Sequence, residues 1–232
     1  RCIEVLQRTG AANVGGPWQP QMGPGRAGWI ARAWASRFGS GGAASRREAY
    51  SGPVDTVYLG AWRRETLLAL GGFDAVLVRN QDDELALRIT RGGGRVWQDA
   101  RIVSHYTPRE SLGALWRQFF QYGYWKVAVV RKHRLPASPR HLVPFGFVAT
   151  LALLALAAPW WAPAAGALAA LGGLYALALL ASGLAAAPRQ ALRVALATAC
   201  MQLGYGLGFG RGLLDMAVLR RGPAAAMTRL TR

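Results

Sequence analysis

The sequence predicts an α/β domain followed by an amphipathic interfacial helix and by two to three transmembrane helices. Strand-like and helix-like segments alternate over residues 1–110, whereas residues 111–232 contain two long runs without charge. The first part holds 15 Lys/Arg and 10 Asp/Glu, and the second holds 13 Lys/Arg and a single acid, Asp215. Basic residues that flank uncharged runs are typical of the cytoplasmic side of a membrane protein, and this arrangement disfavours nucleic-acid binding.

Residues 1–110 have the pattern of part of an α/β domain. Predicted helices cover 2–9, 63–70 and 80–91, and predicted strands cover 12–17, 53–60, 95–97 and 102–106. The helical stretch 29–34 leads into a Gly/Ser-rich segment at 38–42, which is interpreted either as a movable lid or as an ordinary surface loop. The order of elements fits the second half of such a domain rather than a whole one. We therefore expect the chain to be the C-terminal part of a longer protein.

Residues 111–140 predict an amphipathic interfacial helix and a basic linker. The helix covers 111–134 and presents an apolar, aromatic face at helical spacing, made of Leu112, Leu115, Trp116, Phe119 and Phe120. Cations on the same segment favour a position at the membrane surface. The alternative is an ordinary core helix.

Residues 141–219 predict the transmembrane helical region, and residues 220–232 a basic tail. Two uncharged runs, Leu142 to Ala158 and Ala164 to Ala187, are joined by a Pro/Trp-rich turn and predict a helical hairpin. Basic residues on both sides of the hairpin place its two ends in the cytoplasm. We thus expect a multi-pass protein of the inner cell membrane whose catalytic part is cytoplasmic.

A third apolar stretch, 194–219, contains Arg211 and Asp215, and its topology stays open. Gly204, Gly208 and Gly212 recur at four-residue spacing in this stretch. Such spacing places them on one helix face and allows another helix to approach closely.

Three consecutive acids, Asp82, Asp83 and Glu84, open the helix predicted at 80–91. Helix capping by Asn80 and the favourable position of carboxylates in a first turn explain one or two of them. Three in a row, followed by apolar residues that pack, indicate a chemical role for at least one. The dipole of the helix is expected to hold the pKa of such a carboxylate low.

Three motifs in order carry a family resemblance. They are Val-Asp-Thr-Val-Tyr-Leu-Gly at 54–60, Gly-Gly-Phe-Asp at 71–74 and Asn-Gln-Asp-Asp-Glu-Leu at 80–85. Over about residues 12–135 the chain resembles family 2 glycosyltransferases, most of all the membrane-bound branch that builds succinoglycan-type exopolysaccharides. The resemblance implies a GT-A fold and transfer of a hexose with inversion. It also implies a nucleotide sugar such as a UDP-hexose as donor, and a lipid-linked saccharide or a polysaccharide as acceptor.

The same resemblance implies site residues. Asp82 matches the family's catalytic base, which removes a proton from the acceptor hydroxyl during attack. Substrate-binding roles are implied for Gly72, Phe73, Asp74, Asp83, Glu84, Gln121, Tyr124 and Trp125. The last three belong to a Gln-x-x-Arg-Trp type motif in which this chain has tyrosine where the family has arginine. Pairing with a diphosphate would then fall to another residue, for example Lys126 or Arg117.

No metal site is predicted within this chain. The resemblance implies that Mg²⁺ or Mn²⁺ is held by an Asp-x-Asp motif upstream, so this chain alone is expected to be inactive. Cys2 and Cys200 lie far apart and indicate no disulfide framework. The alternative function is a non-catalytic membrane anchor or assembly subunit whose glycosyltransferase-like portion binds glycan.

Overall fold

The computed structural model describes residues 1–21, 26–39 and 41–229, which form a mixed α/β unit followed by long helices. The helices are α1 (Cys2–Thr9), α2 (Arg26–Ala35), α3 (Arg64–Ala69), α4 (Gln81–Arg91), α5 (Leu112–His133), α6 (Val143–Ala157), α7 (Ala162–Ala186), α8 (Ala191–Gly212) and α9 (Ala225–Thr228). The strands are β1 (Asn13–Gly16), β2 (Trp18–Pro20), β3 (Gly52–Pro53), β4 (Tyr58–Trp62), β5 (Val96–Gln98) and β6 (Ser104–Tyr106). The predicted alternation of short helices and strands is confirmed; the GT-A fold stays a prediction.

The strand predicted at 53–60 is two strands at opposite edges of one sheet. The sheet order is β3-β5-β1-β4, in which β1 and β5 are parallel and the outer two pairs are antiparallel. Residues 54–57 cross from one edge to the other, and Val54 and Val57 bury their side chains in the core on the way. The β-branched composition that predicted a continuous strand therefore reflects burial rather than sheet pairing. Strands β2 and β6 form a separate parallel pair.

Helix α5 is the central element of the fold. Ser111 caps it by accepting from the backbone N–H of Ala114 at 3.2 Å. The apolar face that we expected at the membrane surface packs within the protein, where Leu115 joins a core with Trp34 of α2 and Met201 of α8. This packing does not support the prediction that the face contacts lipid.

The backbones of α5 and α8 approach closely because glycines face the partner helix. A Cβ atom on Gly208 would lie 2.0 Å from the carbonyl oxygen of Phe120, and one on Gly212 would lie 2.7 Å from that of Tyr124. From the opposite side, a Cβ on Gly123 would lie 2.0 Å from the carbonyl oxygen of Tyr205. The predicted role of the glycine spacing in close helix packing is confirmed.

Two helical segments are long and apolar enough to cross a membrane in the part of the chain that the structure describes. They are Pro139–Ala157 and Ala162–Ala186, and few of their residues are buried within the protein. Large side chains such as Leu153, Leu156, Leu174 and Leu177 are about two-thirds exposed on α6 and α7. Exposed apolar surface of this extent needs a partner, and a bilayer supplies one.

The third apolar stretch forms α8 and a π-helical turn at Leu213–Val218, and it differs from the hairpin. It packs between α5 and the hairpin, and it buries Asp215, which accepts from Arg211 at 3.0 Å. Of the two to three membrane helices that we predicted, the structure supports two by length and composition. The cytoplasmic orientation of the hairpin stays a prediction.

We expect Gly208→Ala to lower the free energy of unfolding by about 1–3 kcal/mol, because the new methyl group overpacks the α5–α8 contact. Gly172→Ala is the matched control, since nothing lies within 4 Å of a Cβ at this position of α7. Both substitutions raise helix propensity equally. Thermal unfolding in detergent compares them, and equal melting temperatures would show that the close approach contributes nothing to stability.

Candidate active site

A cavity of about 280 Å³ lies where α2, α4, α5, α8 and the β2–β6 pair meet. Its lining combines aromatic rings with a few charged and amide groups. The lining side chains that carry these groups are Trp18, Trp34, Arg46, Tyr58, Asn80, Asp82, Asp83, Tyr106, Phe119, Tyr122, Lys126, Arg140, His141 and Tyr205. A pocket with aromatic walls and few polar groups is the usual form of a small-molecule site.

Asp82 lies in the first turn of α4, and its exposed side chain faces this cavity. Among the described residues, no cation forms an ion pair with its carboxylate. Although the side chain is exposed to the cavity, the protein around the cavity limits the solvation of its carboxylate and so raises the pKa of Asp82, and the neighbouring carboxylate of Asp83 raises it further. Backbone N–H groups of the helix start act in the opposite direction but do not prevail. Our expectation that the helix dipole would hold this pKa low is therefore wrong.

Asp83 is paired with Lys126 of α5. Both residues are almost fully buried, at 8% and 4% exposure. Burial acts to raise the pKa of Asp83, but Lys126 together with the nearby His141 and Arg140 outweighs it, and the net shift is downward. The pair leaves Asp83 charged and occupied, so its predicted role in substrate binding is not supported by this arrangement. It also removes Lys126 as the expected substitute for the motif arginine.

Glu84 does not line the cavity and belongs to an ion network at the C-terminal end of α5. Its fully buried carboxylate accepts from Arg88 and lies 2.9 Å from both Lys132 Nζ and His133 Nε2. Arg88 also donates to the carbonyl oxygen of Gly72 at 2.7 Å, and Lys132 contacts Asp74 at 2.6 Å. This network fastens the Gly-Gly-Phe-Asp loop to both helices.

The loop residues thus have structural contacts outside the cavity. Phe73 is half-exposed and packs edge-to-face against Trp62 at 5.6 Å. Within the described residues, the cavity lining includes none of Gly72, Phe73, Asp74 or Glu84. Their roles in substrate binding stay predictions.

Gln121, Tyr124 and Trp125 hold the end of the chain. Trp125, 1% exposed, donates its indole N–H to the carbonyl oxygen of Met227 at 3.0 Å. The hydroxyl of Tyr124 accepts from the backbone N–H of Ala224 at 3.0 Å, and Gln121 donates to the carbonyl oxygen of Arg229 at 2.7 Å. Stacking of a sugar on Trp125 is not possible in this arrangement, because the ring is enclosed. The intervening Tyr122 faces the cavity instead.

Sequence reasoning missed Arg46 and the aromatic rings around it. The guanidinium carbon lies 3.7 Å from the ring centre of Trp18 and 4.9 Å from that of Trp34. Trp18 in turn packs edge-to-face on Tyr106 at 4.6 Å. These residues come from β2, α2, β6 and a loop, and no motif joins them along the chain. Tyr58, which lies within the first matched motif, is a further aromatic residue of the cavity lining.

Metal-ligating side chains do not gather in the described part of the chain. No group of three or more His, Cys, Asp or Glu comes together there as a metal site requires. Asp82 and Asp83 do not fit such a site either, because Lys126 occupies the second carboxylate. The expected Mg²⁺ or Mn²⁺ ligands stay predictions for sequence outside this chain.

Comparison with known proteins identifies a curated relative of the chain. The chain is similar to the succinoglycan biosynthesis protein ExoA of Rhizobium meliloti (strain 1021), with 32% identity over 186 residues. The match covers 78% of this chain and 54% of that protein, so the chain spans about half the length of the relative. No protein-family model and no solved structure matches the chain. The predicted resemblance to the succinoglycan branch is supported, while membership of family 2 stays a prediction.

We expect Lys126→Met to lower the free energy of unfolding by about 3–5 kcal/mol, because it leaves the Asp83 carboxylate buried without a partner. The double variant Asp83→Asn with Lys126→Met should recover most of this loss. Glu4→Gln, which breaks an exposed pair with Arg101, is the control and should have little effect. Thermal or denaturant unfolding provides the comparison. A Lys126→Met variant as stable as Glu4→Gln would contradict the buried pair.

Proposed function

We propose that the chain is the acceptor-side part of a membrane-bound, inverting glycosyltransferase in exopolysaccharide biosynthesis. It transfers a hexose from a nucleotide sugar to a lipid-linked or polysaccharide acceptor. The observation that carries the proposal is Asp82, an unpaired carboxylate among the described residues that faces an aromatic cavity and has a raised pKa. The relative's role in succinoglycan biosynthesis supports the same class of reaction.

The proposed transfer requires a general base beside the acceptor hydroxyl. As the hydroxyl oxygen attacks the anomeric carbon, Asp82 takes its proton, and the nucleoside diphosphate departs from the opposite face. A raised pKa makes Asp82 a stronger base than an ordinary aspartate, because the protonated form is favoured after transfer. Rings such as Tyr58, Tyr106 and Tyr122 offer apolar faces for sugar C–H groups and hydroxyls for sugar oxygens.

The cavity adjoins the proposed membrane anchor. Arg140 and His141 lie just before α6 and line the cavity, and Tyr205 lines it from α8, against which the hairpin packs. This position gives an acceptor that is held in the bilayer access to Asp82. It favours a lipid-linked acceptor and a site at the membrane surface, on the cytoplasmic side if the basic residues that flank the hairpin set its orientation. A divalent cation would assist departure of the diphosphate, but the described residues do not hold one, and no step here depends on it.

We expect Asp82→Asn to reduce transfer by about 10²- to 10⁴-fold with unchanged folding, since the amide cannot accept the proton. Glu65→Gln, an exposed carboxylate of α3, is the matched control and should retain activity. Transfer of labelled sugar from a UDP-hexose to membrane acceptors is measured with the full-length protein, since this chain alone is expected to be inactive, and melting temperatures are measured alongside. An Asp82→Asn variant with wild-type transfer would refute the role as base.

The pH dependence of kcat/KM gives a separate test. Transfer needs deprotonated Asp82, so activity rises with pH through its pKa, which lies above the ordinary value of 3.8. Asp83→Asn removes the like charge and leaves Lys126 facing the site, and both changes lower the pKa of Asp82. The acidic limb of the profile should therefore move to lower pH, while the exposed Glu110→Gln should leave it in place. A limb that Asp83→Asn does not move belongs to another group.

A further inference from the structure

Arg46 lies between two cavities and is fixed there by aromatic rings. It lines the cavity of Asp82, where Trp18 and Trp34 contact its guanidinium group. It also lines a neighbouring cavity of about 430 Å³, together with Arg37, Arg47 and the backbone at Gly42 and Ala43. The rings orient the guanidinium plane without using its N–H donors, because cation–π contact involves the face of the group.

The other cations around the first cavity have carboxylate partners. Lys126 is paired with Asp83, and Arg140 is paired with Asp55. In the described ranges, Arg46 has neither an ion pair nor a side-chain hydrogen bond. Burial lowers the pKa of Arg46 to about 9, with nearby tyrosines opposing the shift and Arg140 adding to it. A partly buried cation whose N–H donors have no acceptor lowers the stability of the protein unless an anion binds to it.

The second cavity adds positive charge on the same side. Arg37 and Arg47 line it, and no carboxylate pairs with either among the described residues. Arg46 lines both cavities, whereas Arg37 and Arg47 line the second cavity alone, so three cationic side chains lie along two adjoining cavities. This is more positive charge than a single sugar carboxylate would neutralise. A diphosphate, with two to three negative charges and several acceptor oxygens, matches both the number of these side chains and their donors.

We propose that Arg46, flanked by Arg37 and Arg47, is an anion-binding subsite for the diphosphate group of a substrate. The inference rests on the proposed function, since it assigns a substrate group to the same cavity. Arg46 binds the phosphate oxygens through its N–H groups while the two tryptophans hold the guanidinium plane. The diphosphate belongs either to the nucleotide sugar or to a polyprenyl diphosphate acceptor, and both present the same chemistry.

A purely structural role is the alternative, in which Arg46 serves to pack Trp18 against Trp34. It predicts loss of stability without any effect on anion binding. Binding measurements therefore distinguish the two, and they do not require transfer activity.

The experiment measures binding by calorimetry, with the purified protein in detergent for the soluble probes and reconstituted in vesicles for the lipid probes. The probes are inorganic pyrophosphate, UDP, and vesicles that contain polyprenyl diphosphate or, as a blank, polyprenol. The variants are Arg46→Gln and Arg46→Lys, with Arg64→Gln as the matched control, because Arg64 is exposed on α3 and lines neither cavity. Binding to Asp82→Asn is also measured, to separate anion binding from the proposed role of Asp82 as base. Melting temperatures verify folding, and Arg46→Lys carries the test if Arg46→Gln fails to fold.

We expect Arg46→Gln to weaken pyrophosphate binding by about tenfold to a hundredfold, the usual effect of losing charge-assisted hydrogen bonds. Arg46→Lys should fall between it and the wild type, because lysine keeps the charge without the planar fork. An equal loss of affinity for UDP would assign the site to the nucleotide sugar. A loss of affinity for polyprenyl diphosphate vesicles would assign it to the acceptor.

Two results would overturn the subsite: unchanged binding in Arg46→Gln, or a wild-type protein that binds none of the diphosphate probes. Asp82→Asn should keep pyrophosphate binding. If the full-length protein retains Arg46-dependent binding but catalyses no sugar transfer, the proposed function is refuted and the anion subsite stands.

Discussion

The buried ion pair between Asp83 and Lys126 determines how helix α4 lies on helix α5, and the site follows from it. Successive residues of an α-helix point about 100° apart. With Asp83 directed at α5, Asp82 is directed into the cavity, and Glu84 is directed at the far end of α5. Three consecutive acids therefore have three different sets of contacts, although Asp82 and Asp83 both line the cavity. This also explains why their pKa values shift differently, upward for Asp82 and downward for the other two.

Helix α8 packs against α5 on its other side. Its glycines bring the two backbones together along one face, and Gly206 faces the carbonyl oxygen of Pro144 at the start of α6. At the N-terminal end of α8, Gly183 of α7 lies against the carbonyl oxygen of Ala191. One helix thus joins the cavity to the hairpin that we propose crosses the membrane. Small residues serve this purpose because an apolar surface between helices and lipid gives little driving force, whereas close packing does.

Local rules predicted the elements well and their contacts less well. Gly10, Ser111 and the Gly71-Gly72 pair lie at helix ends, where capping depends on neighbouring residues alone. The division of the strand at 53–60 and the enclosure of Trp125 depend on distant partners, and no local pattern contains that information. Asn80 shows the difference within one residue: it stands at the helix start as predicted, yet its side chain donates to the carbonyl oxygen of Tyr122 rather than capping.

Arg46 and Asp82 are the two charges of the cavity that lack an ion pair within the described part of the chain, and they do not pair with each other. Trp18 and Trp34 fix the guanidinium on one side, while the first turn of α4 fixes the carboxylate on another. Had the two groups met, neither would be available to a substrate. Holding opposite charges apart in a partly enclosed site costs stability, because neither charge neutralises the other. The arrangement is preorganised, since the protein need not move to present an acceptor for a proton and a donor set for an anion.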